Sequence, residues 1–233
     1  MCCEYFGADL AHKLVAEHGR PDLFAANNVL AHVPDLRDFV QGLAILLGES
    51  GLLTLEFPHL MRLKAENQFD TVYHEHYSYF SLGTVQRVLA EFGLDVVDVE
   101  ELSTHGGSLR VHAKHQGAGD VSNRVEALLQ REGDAGMQGL AYYADFQAQA
   151  DSVKNSLLRF LLDQRELGRT VAGYGAAAKG NTLLNYAGVK TDLLPCIVDK
   201  SPHKQGLFTP GGRIPVKGED ALKDQDRCLF LKL

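Results

Sequence analysis

The sequence predicts an α/β fold made of two successive units, and three observations carry that prediction. Residues 22–57 run as apolar strand, amphipathic helix and apolar strand, which implies a parallel sheet with helices on its faces. Residues 95–115 form two alternating runs about a glycine-containing turn, the pattern of an antiparallel hairpin that finishes a sheet. A second strand–loop–helix opens at Thr170, with Gly173-Tyr174-Gly175 at its turn.

Each element has its own justification. Leu10, Leu14 and Val15 recur at helical spacing within residues 8–18, and Gly19 and Pro21 end that helix. Asp22–Asn28 reads as a buried strand, with Asn27–Asp35 as its exit loop. Leu36–Leu47 places Phe39, Leu43, Leu46 and Leu47 on one face, and Leu52–Phe57 is an apolar strand ended by Pro58. Leu82–Phe92 is a helix with Ser81 at its cap position and Gly93 after it. Asp95–Leu102 and Leu109–His115 alternate on either side of Thr104–Ser108. Gly117-Ala118-Gly119 marks a boundary, giving domains 1–117 and 118–233. Beyond it, residues 121–131 and 139–167 read as helix with a break near Gly133–Gly136. A helix through Tyr186 and a strand at Leu194–Asp199 continue the second unit.

Composition narrows the function classes. Residues 1–150 carry 10 Lys+Arg against 21 Asp+Glu, a balance of −11, while residues 151–233 carry 13 against 9, or +4. An acidic front argues against nucleic acid as a partner, whereas a basic back suits a phosphorylated small molecule. Leu43–Leu47 is about the longest apolar run and Gly48 ends it, so no membrane span is expected. The first residues have no basic-then-apolar leader pattern. Among the cysteines, Cys2 and Cys3 are adjacent, Cys196 and Cys228 stand alone, and no C-x-x-C pair occurs. Neither a structural zinc site nor a disulfide framework is expected, and a reducing cytoplasm is the simplest setting.

The densest chemistry lies in Phe69–Ser81, where two histidines, two acids and three tyrosines interleave. As a strand, this stretch would put Tyr73, Glu75 and Tyr77 on one face and His74 and His76 on the other. As a helix it would gather Tyr73, His76 and Tyr77. Either form brings an imidazole near a carboxylate or a phenol, the equipment for proton transfer near neutral pH. His74, His76 and Glu75 lack the spacings of histidine-rich zinc motifs, so no metal is expected. His32 follows a strand's carboxyl end, where open α/β sheets place ligand contacts, though a solvated loop histidine is the plainer alternative. Thr104–Arg110 is either a hairpin turn or a pocket wall. The Gly173 loop fits G-x-G-x-x-A with Asp199 after the next strand, a dinucleotide fingerprint, or else a tight turn that needs glycine for packing. Lys179, Lys200, Lys204 and Arg213 lie in or near these loops and would suit a diphosphate.

Several stretches taken together resemble one family. They are Ala26–Asp35, Glu56-Phe57-Pro58-His59, Phe69–Ser81 with its Tyr73-His74-Glu75-His76, His105-Gly106-Gly107-Ser108-Leu109-Arg110, Gly173–Gly180 and Val198–Gly206. From about residue 4 to about residue 218 the chain is similar to the S-adenosylmethionine (SAM)-dependent sugar C-methyltransferases, which act on nucleotide-linked keto-deoxysugars. The resemblance implies a partial class I methyltransferase sheet, Rossmann-like, followed by a smaller Rossmann-like α/β domain. It implies His76 as the base that removes a proton beside the sugar ketone, with Tyr73 and Glu75 orienting it or stabilising the enolate. His32 would contact substrate near the methyl donor, and Asn27, Asn28 and Val29 would face the cofactor. His105, Ser108, Arg110, Gly173, Gly175, Lys179 and Lys204 would face the nucleotide sugar. Oligomeric state is left open.

The chain also departs from the family pattern. No cysteine-rich zinc module or glycine-rich cofactor loop precedes Asp22, and the tail Asp224–Leu233 fits the pattern poorly. The chain is therefore expected to be a fragment that binds SAM weakly or not at all, with the Asp22–Asn28 strand presenting an apolar edge. A nicotinamide-dependent oxidoreductase and a non-catalytic nucleotide-sugar binder are the rival expectations.

Overall fold

A computed structural model describes residues 4–222 and 228–232; Cys2, Cys3 and residues 223–227 and 233 of the tail lie outside the described residues. The chain divides into two compact units, Met1–Gln68 with His74–Ala144, and Phe69–Tyr73 with Asp145–Leu233.

The first unit is built on a four-stranded sheet of order β1-β2-β4-β3, with β1 Leu23–Asn27, β2 Leu52–Pro58, β3 Leu94–Leu102 and β4 Ser108–His115. β1 and β2 are parallel, as the helix between them requires, but β4 lies antiparallel between β2 and β3. The sheet is therefore mixed: the parallel pair that the strand–helix–strand alternation implied, finished by the antiparallel hairpin expected over residues 95–115. The hairpin folds back so that its second strand takes the place beside β2. Leu53, Leu55 and Phe57 alternate into the core and are fully buried. Helices α2 (Leu36–Leu46), α4 (Leu82–Ala90) and α5 (Asn123–Asp134) all contribute to the one cluster that these side chains form with Leu94, Leu109 and Val111. Each such buried aliphatic side chain contributes roughly 1.5–3 kcal/mol. A register shift between Val96 and Asp98 inserts one extra residue in β3. That bulge keeps both Val96 and Val99 in the core although they are three residues apart. Outside this cluster, α1 (Ala8–His18) packs on α2.

Local capping fixes the helix starts. The Asp35 carboxylate accepts from the Asp38 N–H at 3.0 Å and begins α2. The Ser81 hydroxyl accepts from the Thr84 N–H at 3.1 Å and begins α4 where the sequence placed it. Ser81→Ala is expected to cost about 1 kcal/mol, read from the urea midpoint at unchanged slope. A short helix, α3 (Leu60–Ala65), follows β2 where none was expected. Residues 69–81 are neither strand nor helix throughout: Phe69–Thr71 is one 3-10 turn, and residues 72–79 are irregular up to a bridge between Phe80 and His59.

In the second unit a parallel sheet of order β7-β6-β5-β8 is formed by β5 Thr170–Tyr174, β6 Ile197–Val198, β7 Val216–Lys217 and β8 Cys228–Lys232. The strand expected over 194–199 is only two residues long, since Pro195 has no N–H to give the ladder. Residues Cys228–Lys232 of the tail supply β8 beside β5. Helix α6 (Phe146–Glu166) sets Leu157 and Leu161 against Val171, Leu184 and Ile214, with α7 (Ala178–Ala187) alongside. The helix expected over 139–167 is broken: Leu140–Tyr143 is a 3-10 turn and α6 starts at Phe146. Contacts in the first unit hold that turn, because Tyr143 Oη donates to Met137 O at 2.9 Å and the Lys64 ammonium lies 5.0 Å from the Tyr142 ring centre. Residues 69–73 join this second unit, where the Phe69 ring packs 5.2 Å from Tyr186 of α7. Among the described residues no helix is long and apolar enough to cross a membrane.

Candidate active site

The carboxyl ends of β1 and β2 carry the first group of candidate residues. Asn27 pairs with Glu56 in the parallel register, and the Asn28 N–H donates to Glu56 O at 2.8 Å. Asn28 then turns the chain with φ 54, in the left-handed region that asparagine tolerates. Val29 leads, partly exposed, into the 3-10 turn Leu30–His32, whose first two side chains are buried, leaving His32 to project. Its Nδ1 lies 2.9 Å from the Glu75 carbonyl oxygen. A carbonyl can only accept, so Nδ1 carries the proton and Nε2 is the other face of the ring.

The 74–79 segment lies on this turn through its backbone. Tyr77 N–H donates to Ala31 O at 2.8 Å and Ser78 N–H to the same oxygen at 3.3 Å. As a result the His32 and His76 rings come together at 4.7 Å between centres, and Tyr79 stands edge-on to His76 at 6.0 Å. Glu75 contributes its carbonyl, while its side chain is exposed. Tyr73 falls in the second unit, with its N–H donating to Thr71 O.

The hairpin turn supplies a second group of candidate residues. His105, Gly106 and Gly107 all have positive φ, at 54, 86 and 110. Glycine is required twice, since a Cβ at 106 would meet Gln68 Nε2 at 2.6 Å and one at 107 would meet Arg62 Cγ at 3.0 Å. This backbone sets His105 Nε2 at 2.8 Å from Asn28 Nδ2. The amide donates, so Nε2 is the acceptor and the ring proton is on Nδ1. Asn28 Oδ1 is buried without a partner.

Glu56 ties the turn to β2. It is 5% exposed, and its carboxylate accepts from Thr104 Oγ1 at 2.9 Å and from the Arg110 guanidinium at 3.0 Å. Ser108 is 1% exposed and donates to Thr104 O at 3.1 Å. Ser108 and Arg110 therefore shape the turn through internal bonds. In the sequence Glu56 stands out only as part of the Glu56-Phe57-Pro58-His59 motif. The signal was available: one carboxylate inside an apolar strand must find a donor.

In the second unit, Gly173 is buried with its N–H on Cys196 O, and Gly175 N–H donates to Val198 O at 2.8 Å. Ala176 N–H donates to Asp199 Oδ2 at 2.8 Å, and Ser201 N–H to Oδ1 at 2.8 Å. Lys204 Nζ bridges Ala176 O and Asp199 Oδ2 at 2.8 and 3.2 Å. The Ser201 amide first, then the Ala176 amide and Lys204, outweigh burial and hold the Asp199 carboxyl below its ordinary range. Both carboxylate oxygens and two loop amides are thus engaged inside the protein. That removes two contacts from the nicotinamide reading of the loop, which needs Asp199 for a ribose and the amides for a pyrophosphate. Lys179, half-buried, stands in the first turn of α7.

Comparison with known families agrees with these motifs. The C-methyltransferase C-terminal domain matches residues 103–232, more than half of the chain. The chain belongs to that family. A methyltransferase domain also matches residues 3–99. The C-methyltransferase family likeness extends to C-methyltransferase NovU of Streptomyces niveus, 35% identical over 212 residues, which are 91% of this chain and 50% of NovU. The chain thus spans about half the length of this curated relative. Among solved structures, a SAM-dependent methyltransferase from Anabaena variabilis overlaps 48% of this chain and 56% of its own at 15% identity and TM-score 0.38. Magnesium protoporphyrin IX methyltransferase from Synechocystis, with bound SAH, overlaps 42% and 46% at 17% identity and TM-score 0.35. The family match runs to residue 232, so the tail, which the sequence set apart from the family pattern, belongs to it.

Proposed function

We propose that the chain serves SAM-dependent methylation at carbon, on a nucleotide-linked keto-deoxysugar, with His76 as the base. The observation that carries this reading is the His32–His76 pair, whose tilted rings lie 4.7 Å apart between centres just past the carboxyl end of β1. A C–H beside a ketone is acidic because the carbonyl takes up the charge. His76 accepts that proton at a ring nitrogen, and the C–H electron pair becomes an enolate. His32, its Nδ1 proton held on Glu75 O, presents Nε2 toward the sugar. Tyr73 and Glu75 orient the base or stabilise the enolate oxygen. The enolate carbon would then form the new C–C bond to the methyl group that SAM supplies when bound, as the sulfur–methyl bond breaks and its electron pair stays on sulfur.

The residues present fit one end of the cofactor. Asn28 Oδ1 is a buried acceptor lacking a donor, which suits an ammonium or amine hydrogen. Asn27, Asn28 and Val29 would hold SAM there, and when bound it supplies an electrophilic methyl group on a sulfonium. His105 fixes the Asn28 amide, and Ser108 and Arg110 set the turn that carries it. In the second unit Lys179, in the first turn of α7, would meet the nucleotide phosphates, while Gly173 and Gly175 shape the loop and Lys204 braces it through Ala176 and Asp199. The fold has no membrane-spanning helix among its described residues, and a cytoplasmic enzyme acting on a small molecule is the reading adopted.

The test is transfer of labelled methyl from SAM to such a sugar, by the chain alone and complemented with the part of NovU outside the matched region. A product with the label on carbon supports the proposal; a label on oxygen, or none in the complemented protein, refutes it. Nucleotide recognition is tested separately. A nucleoside diphosphate at a hundredfold excess over Kd is expected to stabilise the chain by about 2.7 kcal/mol. Lys179→Ala should reduce that thermal shift. An NADH-specific shift instead would favour the oxidoreductase reading.

A further inference from the structure

We propose that Glu132 and His59 are positioning residues for His76, an inference that rests on the proton-transfer reading above. Glu132 lies on α5, inside the span of the C-terminal family match, yet its carboxylate is spent on the methyltransferase span. Oε1 lies 2.8 Å from His59 Nε2 and accepts from Leu82 N–H at 2.7 Å, and Oε2 accepts from Gly83 N–H at 2.9 Å. The His59 and Glu132 side chains are 1% and 7% exposed.

These bonds grip the far end of the His76 segment. Leu60 N–H donates to Phe80 O at 2.8 Å, and His59 N–H to Gly107 O at 3.0 Å. The near end is held by Glu75 O on His32 and by Tyr77 N–H on Ala31 O. His76 thus sits in a span fixed at both ends, with one pin supplied by a helix fifty residues further along the chain. The same pin holds Gly107 of the turn that carries His105.

Two observations argue that the pair does more than stabilise. A buried polar pair of this kind can often be replaced by apolar residues of similar volume, so burial alone does not explain it. His59 Nδ1 is also buried without a partner, which a pair selected for stability would avoid. What the carboxylate does uniquely is bond three donors from two elements at once and so fix their register.

The test is site-resolved hydrogen exchange on the 233-residue chain with Glu132→Gln, which keeps the side chain's shape, and with His59→Gln. Exchange is expected to accelerate at least tenfold at Leu82 and Gly83 and also at Tyr77 and Ser78, while Val111 in β4 keeps its rate. The His76 ring resonances should shift as well. Acceleration confined to Leu82 and Gly83, uniform acceleration, or global unfolding of both variants would each overturn the proposal. None of these readouts needs turnover. Local loosening together with full methyl transfer by His76→Gln would therefore refute the proposed function and leave the pinning intact.

Discussion

Replacing His76 by Gln is expected to abolish methyl transfer and leave the fold unchanged. Glutamine keeps a polar side chain of similar reach but cannot accept a proton near neutral pH. General-base catalysis contributes about 10²–10⁴-fold, so a rate loss of at least about a hundredfold is expected. The ring is half-buried and lies on irregular backbone outside the core cluster, so the thermal melt should move little. Tyr79 stands edge-on to the same ring, and His32 meets it at a tilt with 4.7 Å between centres. His32→Gln should reduce the rate less than loss of His76 itself, because His32 contacts the sugar and does not take the proton.

Glu132→Ala is expected to be the most destabilising polar substitution in the first unit. It removes one partner of a buried pair and strips Leu82 and Gly83 of their acceptor, a change that costs about 3–5 kcal/mol. Denaturant unfolding measures it directly. Double replacement of His59 and Glu132 by Leu and Met should recover only part of that loss, since the apolar pair fills the space but leaves the Leu82 and Gly83 N–H groups without their acceptor. Acid acts on the same group. Burial raises the Glu132 carboxyl, but the hydrogen bonds from His59, Gly83 and Leu82 together outweigh it and hold it below its ordinary value. A carboxyl depressed by folding adds stability that is fully present above its unfolded value of about 4.3. That stability is lost as pH falls through the lower folded value. The wild-type midpoint should thus fall in acid below the ordinary carboxylate range, and Glu132→Gln should flatten that part of the profile.

Most of the local structure could be read from the sequence. The spacing of Leu10, Leu14 and Val15, the Ser81 cap and the Thr104–Ser108 turn each placed an element within a residue or two. These signals are local and depend on backbone geometry that neighbours set. The misses have a different origin. Residues 72–79 take their path from Ala31, Leu60 and His32, partners distant in the chain, so neither a period of two nor one of 3.6 could describe them. α3 is six residues long, too short for periodicity to stand out. The break before α6 comes from contacts of Tyr142 and Tyr143 with the first unit, which helix propensity does not register.

The candidate site was legible as a set of residue types and much less as a set of roles. His32 and His76 could be paired because both follow from motif positions, and the structure brings their rings within 4.7 Å of each other, centre to centre. Ser108 and Arg110 looked like substrate contacts, yet their bonds run to Thr104 and Glu56 inside the turn. Asp199 looked like a ribose acid, and its oxygens hold Ala176, Ser201 and Lys204. Glu56 and Glu132 were passed over because a buried carboxylate declares itself only through its partners. Those partners lie 54 and 73 residues away for Arg110 and His59.

The most direct test of the account is proton wash-in without methyl transfer. A keto-deoxysugar nucleotide incubated with the protein in D₂O, with no SAM present, is followed by mass spectrometry and NMR. Deuterium should enter at one carbon beside the ketone faster than the uncatalysed background, and His76→Gln should return the rate to that background. Exchange that persists undiminished in His76→Gln would contradict the assignment of the base and the proton-transfer chemistry built on it.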